Sequence, residues 1–220
     1  MENLNKPQQD AVLHTQGPLI IFAGAGTGKT RVIVHRIAHL ISQGVPAYGI
    51  LAVTFTNKAA EEMKRRVNDL AGGAGSSVWV STFHSFCAYF LRVEATAAGL
   101  SKDFLIYGYG EQKNTVKDII KELHLDEKKF KPSSITDKIS RAKDDLLTPQ
   151  VLAQNAQTRY EEEAAKIYEI YQARLKASDA LDFGDLIMKT VETLASNPQV
   201  LEKYQNRFKY ILVDEYQDTN

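Results

Sequence analysis

The chain has 220 residues, enough for one large domain or two small ones. It is 44% hydrophobic and 25% charged, a composition that excludes disordered and fibrous classes. Lysine plus arginine and aspartate plus glutamate both number 27, so the net charge is zero; bulk charge favours neither nucleic acid nor membrane, and any DNA surface must be a local patch.

The first residues, Met1-Glu2-Asn3-Leu4-Asn5-Lys6, are polar and hold no apolar signal core. No later apolar run approaches the length that spans a bilayer, so no membrane partner is expected and the cytoplasm is the default location. Residues 4 to 14 read as a short helix, with Asn5 as its cap and Pro7 at an early position, where a missing N–H is harmless. On composition alone Gln8 is an ordinary surface glutamine. Leu19-Ile20-Ile21-Phe22 reads as a strand running into Ala23-Gly24-Ala25-Gly26-Thr27-Gly28-Lys29-Thr30. The general phosphate-cradling pattern is G-x-x-x-x-G-K-[ST]; Ala23 replaces its first glycine, while Gly28, Lys29 and Thr30 fit. Glycines let the backbone close on phosphate oxygens, and successive N–H groups with the following helix N-terminus supply positive potential. Lys29 would reach the β- and γ-phosphates, and the Thr30 hydroxyl would sit on Mg²⁺. A glycine-rich turn of no special purpose is the bland alternative. The apolar run before the loop and the helical stripe Ile33, Ile37, Leu40 and Ile41 after it disfavour that alternative.

Gly44 and Pro46 break the pattern, and Ile50 to Phe55 reads as a buried strand. A helix begins near Thr56-Asn57-Lys58, with Ala59, Met63, Val67 and Leu70 on its apolar face. Gly72 to Ser77 reads as a flexible loop, and Val78-Trp79-Val80 as a third strand ending at Ser81-Thr82-Phe83-His84. Strand, helix, strand, helix, strand implies a parallel sheet with helices on its faces, whose ligands bind beyond the carboxyl ends of the strands. Phe55 at that edge is either a core aromatic or an exposed stacking platform, and the residue pattern leaves both open.

From about residue 86 strand-like runs nearly vanish until Tyr210. Cys87 is the only cysteine, which rules out an internal disulfide and a thiolate metal cluster. Helical stretches such as Gln112 to Leu123 and Tyr160 to Lys176 carry balanced charge and read as an insertion into the α/β domain. Asp182 is placed to cap the next helix, with Asp185 in its first turn. The sheet resumes at Tyr210-Ile211-Leu212-Val213 and ends in Asp214-Glu215. Asp214 would hold Mg²⁺ mainly through water, and Glu215 would orient and deprotonate an attacking water. A solvated acidic turn is the alternative, weakened because phosphoryl transfer needs both halves of such a site.

Taken together, these stretches resemble the N-terminal part of the UvrD/PcrA/Rep-type superfamily 1 DNA helicases, over essentially the whole chain. Leu4-Asn5-Lys6-Pro7-Gln8 looks like the family's Q motif, Ala23 to Thr30 its first motif, and Ala52 to Ala60 its motif Ia. Ser81-Thr82-Phe83-His84-Ser85 resembles Ib, and Leu181-Asp182-Phe183 and Asp214 to Asn220 match in order and approximate spacing. The resemblance implies a RecA-like P-loop NTPase fold: domain 1A over residues 1–90, a helical 1B insertion over 91–207, and 1A resumed over 208–220. It implies ATP and Mg²⁺ as cofactors. Gln8 would hydrogen-bond adenine and Arg31 stack on it, with Ala23, Gly24, Ala25, Gly26, Thr27 and Gly28 around the phosphates. Phe55 would stack on a base of single-stranded DNA, with Thr56, Asn57, Lys58, Thr82 and His84 near the strand. Single strands and single/double-strand junctions are the implied partners, and a monomer is expected.

The family continues past the stretch matched here, with a second RecA-like domain and arginines that complete the ATP site. Gly108-Tyr109-Gly110 departs from the acidic residues more usual in the family, which bears on the local surface of 1B. The leading expectation is therefore the 1A/1B portion of a 3′–5′ ATP-dependent DNA helicase. The helicase part of a RecB-like nuclease, or a non-catalytic nucleotide- or DNA-binding module, are the alternatives. A small-molecule P-loop kinase would leave motifs Ia and Ib unexplained.

Overall fold

A computed structural model describes residues 4–24 and 26–219. Chain order is α1 (Lys6–Leu13), α2 (Lys29–Ser42), β1 (Ile50–Thr54), α3 (Asn57–Ala71), β2 (Trp79–Thr82), α4 (Phe83–Val93) and α5 (Ala95–Ala98). It continues with β3 (Leu105–Tyr107), α6 (Tyr109–Glu122), α7 (Pro132–Asp144), α8 (Pro149–Gln154), α9 (Arg159–Ala177), β4 (Ala180–Asp182), α10 (Phe183–Ser196), α11 (Pro198–Arg207) and β5 (Tyr210–Val213). The result is a mixed α/β protein with short parallel sheets and many helices. The described residues divide into two compact units, one holding those up to Phe86 together with Leu201–Thr219, the other Cys87–Val200.

The first unit is built on a parallel sheet in the order β2-β1-β5. Leu51 sits opposite Trp79 on one side and Ile211 on the other, so β1 is central and buried throughout. A strand covered on both faces reads as an unbroken apolar run, and Ile50-Leu51-Ala52-Val53 is one. Helices α2 and α3 turn their apolar stripes onto the sheet: Ile33, Ile37 and Leu40 from one, Met63 and Val67 from the other, pack with Ile50, Ala52 and Leu212. Helix α1 carries the expected cap. Asn5 accepts from the Gln8 N–H, Gln8 reaches back to the Asn5 N–H, and proline occupies the first turn.

The strand expected at Leu19–Phe22 does not form. Among the described residues no strand pairs with it, and Ile20 and Phe22 are 65% and 94% exposed. An apolar run becomes a strand only when a neighbour takes its N–H and C=O groups. A cavity of about 650 Å³ separates the run from β5, lined by Gly17–Ile21 on one side and Tyr210–Asp214 on the other. Two smaller differences follow local chemistry. The strand read over residues 78–80 lies at Trp79–Thr82, in register with all of β1 after Ile50. The loop over Gly72–Ser77 is wound as 3₁₀ turns, held by a Val78 N–H bond to the Gly75 carbonyl.

The second unit is mainly helical, as the loss of strand-like runs suggests, but it also holds a two-stranded parallel pair, β3 with β4. Three residues each is too short to leave a periodic signal. Its core gathers Val116, Ile119 and Ile120 of α6, Ile135 and Ile139 of α7, and Ile167, Tyr168 and Tyr171 of α9. Asp182 caps α10 through the Asp185 N–H, and Asp185 returns the bond to the Asp182 N–H. Among the described residues no helix is long and apolar enough to cross a membrane.

Candidate nucleotide site

The loop before α2 is shaped by glycines with positive φ: Gly26 at +74° and Gly28 at +90°. Gly28 is the N-cap of α2 and offers no side-chain cap, so the first N–H groups of the helix remain available to an anion. A Cβ at Gly28 would also come within 3.2 Å of Gln8 Nε2. The Thr27 N–H and hydroxyl both reach the Gly24 carbonyl, the hydroxyl at 2.7 Å. Ala25 lies outside the described residues. Gln8 Nε2 donates to the Thr27 carbonyl at 2.8 Å, which ties α1 to the phosphate loop.

Strand β5 delivers the acids. The Asp214 N–H bonds the Val53 carbonyl at 2.9 Å, extending the β1–β5 ladder and fixing Asp214 at the carboxyl end of the sheet. Asp214 Oδ2 accepts from the Thr30 hydroxyl at 2.8 Å, across 184 residues of sequence. The chain then turns sharply: Glu215 adopts a left-handed backbone, φ 52° and ψ 48°, a conformation that non-glycine residues reach only where the surroundings hold them. Lys29 Nζ lies 3.9 Å from Glu215 Oε2 and 3.4 Å from the Ala23 carbonyl. Gln217 donates to the same Glu215 oxygen at 2.5 Å. Sequence reasoning missed Gln217, whose partner is two residues away through a turn that no pattern announces.

An alcohol and a carboxylate side by side, with a half-buried lysine and a second carboxylate within reach, form a hard-oxygen donor set. That chemistry suits Mg²⁺, which keeps most of its waters and takes one or two protein oxygens beside a phosphate. Among the described residues no cluster of three or more His, Cys, Asp or Glu side chains is placed to hold a metal by itself. Arg31 borders a hollow of about 320 Å³ with His35 and, from α3, Arg66 and Asp69. Burial first, then nearby positive charge including Arg31, holds the His35 imidazole below its ordinary value.

The remaining candidate residues line the same edge. Phe55, immediately after β1, is 56% exposed, which removes the core-aromatic alternative. Thr56 caps α3 through the Ala59 N–H at 3.1 Å, with Asn57 and Lys58 exposed in its first turn. Thr82 is buried and exchanges hydrogen bonds with Ser85, so its hydroxyl is committed to the start of α4. His84 is half-buried in that first turn.

Residues 4–220 match the model of the UvrD/REP helicase N-terminal domain. The chain is 47% identical to the ATP-dependent DNA helicase PcrA of Staphylococcus epidermidis, over all of this chain and 30% of that protein. The PcrA of Staphylococcus aureus gives the same identity and coverage. The chain thus spans about a third of the length of the curated relatives it matches. With a family model matching nearly its whole length, the chain belongs to the UvrD/REP helicase N-terminal domain family.

Proposed function

We propose that this chain is the nucleotide-binding and DNA-engaging portion of an ATP-dependent DNA helicase that moves 3′ to 5′ on single strands, in the cytoplasm. The Thr30–Asp214 hydrogen bond carries the reading, because it joins the two sequence-distant halves that ATP hydrolysis requires. Gln8 takes the adenine edge and Arg31 its face. The α2 N-terminus and Lys29 take the phosphates, the lysine leaving the Ala23 carbonyl to do so. Thr30 and Asp214 would hold Mg²⁺, which when bound neutralises charge on the β- and γ-phosphates. Glu215 accepts the proton of the water that attacks the γ-phosphorus, and its left-handed backbone aims the carboxylate at that side of the loop. Phe55 offers its face to a base, with Thr56, Asn57, Lys58 and His84 beside the strand; Thr82 acts by shaping the turn. A junction between single and double strands is the working substrate, and the chain by itself is monomeric.

The arginines that complete such sites in the family come from a second domain, and an arginine of this kind is worth about 10³ to 10⁵ in rate. This chain should therefore bind ATP and single strands while hydrolysing slowly and unwinding nothing. The test measures phosphate release with single-stranded DNA on this chain and on a longer protein carrying the second domain, beside calorimetry of Mg·ATP. Binding lost in Lys29→Ala, slow turnover here and fast turnover in the longer protein support the reading. Equal affinity with and without Lys29, or equal turnover by the two proteins, would falsify it. Phe55→Ala should weaken single-strand binding by roughly 1–3 kcal/mol in fluorescence anisotropy.

A further inference from the structure

Arg36 lies on α2, two turns beyond Lys29, and is only 8% exposed. Among the described residues no carboxylate forms an ion pair with it. Burial accordingly holds its guanidinium below the ordinary arginine value, against a smaller opposing influence from Tyr210. Its Nη1 instead donates to the Ala11 carbonyl at 2.8 Å and to the His14 carbonyl, both at the end of α1. Those carbonyls have no helical N–H ahead of them, and a cation there also meets the negative end of the helix dipole. The start of α1 is held by Gln8 on the Thr27 carbonyl, and Val12 near its end packs in one buried cluster with Leu4, just before the helix, and Val32 of α2. Among the described residues, these tethers of the eight-residue helix run to α2 or to the loop that starts it.

From this placement we infer that Arg36 is a positioning residue for base selection: it locks α1, and with it Gln8, at a fixed distance from the phosphate loop. The helix that presents Lys29 to the phosphates also carries the arginine that holds the base-reading helix. The two ends of the nucleotide site therefore share one rigid rod. The inference rests on the reading that Gln8 meets the base. Without the clamp, the bonds at Gln8 remain, but α1 is free to pivot about them, and the side chain no longer holds one angle toward the base.

The experiment compares the affinities of ATP, GTP and inorganic tripolyphosphate, each with Mg²⁺, for the unaltered chain, Arg36→Gln, Arg36→Lys and Gln8→Ala. Arg36→Gln should lower ATP affinity by about 10-fold, the worth of one hydrogen bond, and leave tripolyphosphate unchanged. The preference for ATP over GTP should shrink with it. Arg36→Lys, which keeps a cationic donor, should recover most of the loss, and hydrogen exchange should show faster opening of the α1 amides in Arg36→Gln alone. A parallel fall for ATP and tripolyphosphate in Arg36→Gln would mean damage to the phosphate loop and overturn the inference. An unmoved ratio in Arg36→Gln, with a moved one in Gln8→Ala, overturns the clamp while sparing the base reading. An unmoved ratio in Gln8→Ala overturns the base reading and the clamp's role together.

Discussion

The chain contains two constellations of one lysine and two carboxylates, and they differ in every physical respect. In the first unit, Lys29 lies 3.9 Å from Glu215, both side chains are partly exposed, and Asp214 is bonded to a threonine. In the second, Lys143 is fully buried and bonds Asp182 at 2.7 Å and Asp185 at 2.8 Å. Tyr171 donates to Asp182 and Gln172 to Asp185, so every charge in the second cluster is answered. Burial and the neighbouring Asp182 charge push the Tyr171 phenol far above its ordinary value, keeping it a donor. An open, loosely paired group has room for a ligand and can exchange partners. A closed one, in which each carboxylate meets Lys143 and a second donor, serves to fix α7 against β4 and α10.

The comparison breaks most directly at Lys143. Lys143→Met removes the cation and leaves two buried acids, and should cost about 3–5 kcal/mol in urea unfolding. That loss should depend on pH. Burial raises the Asp185 carboxyl, and Lys143 is the main influence opposing the rise. Without the lysine the folded-state value climbs further above the unfolded one, so stability is retained where Asp185 is protonated and is lost as pH rises through the folded value. The variant should therefore lose more stability at pH 7 than at about pH 4, the ordinary aspartate value; a pH-independent loss would mean the acids are not bearing the cost. Gly184→Ala probes the same closure from the side, since a Cβ there would sit 2.9 Å from Lys143 Cδ, and should cost about 1–3 kcal/mol by overpacking.

Lys29→Met is the counterpart in the open cluster. A partly exposed pair spaced this widely is worth about 0–1 kcal/mol, so the melting temperature should barely move while Mg·ATP binding disappears. A large stability loss would erase the distinction between the two clusters. The smallest effect belongs to Glu161, whose carboxylate accepts the Gln157 N–H and the Thr158 hydroxyl and is thereby held below its ordinary value. Its contribution is present above the unfolded carboxylate value and is lost as pH falls through the lower folded one. Glu161→Gln should flatten part of the stability loss on acidification below about pH 4.5 and change little at neutrality.

Much of this was legible because it is local. Asn5 and Pro7 announce α1, Asp182 announces α10, and the stripes of α2 and α3 follow from spacing alone. The loop with Lys29 and Thr30, and the acids after β5, are each continuous in sequence. The Lys143 cluster is not: its lysine lies 39 residues from Asp182, and nothing in a balanced charge distribution marks which lysine goes inside. Arg36 is hidden similarly, since a buried arginine that bonds only carbonyls has no partner residue type to search for. Leu19–Phe22 misled in the opposite sense. Apolarity belongs to the segment, whereas pairing, which decides strands, does not.

The Thr30–Asp214 bond also has a consequence in time. Its partners are 184 residues apart, and closing a flexible loop of that length costs about 4–5 kcal/mol of chain entropy. Most of that stretch is the second unit, which has its own core. If that unit condenses first, it replaces a long floppy loop by a short rigid one. During synthesis at about 5–20 residues per second, the phosphate loop emerges roughly 10–40 s before Asp214 does. A nascent chain therefore holds the phosphate-binding half of the site well before the acids arrive, and its affinity for Mg²⁺-bound nucleotide should rise only as β5 slots beside β1.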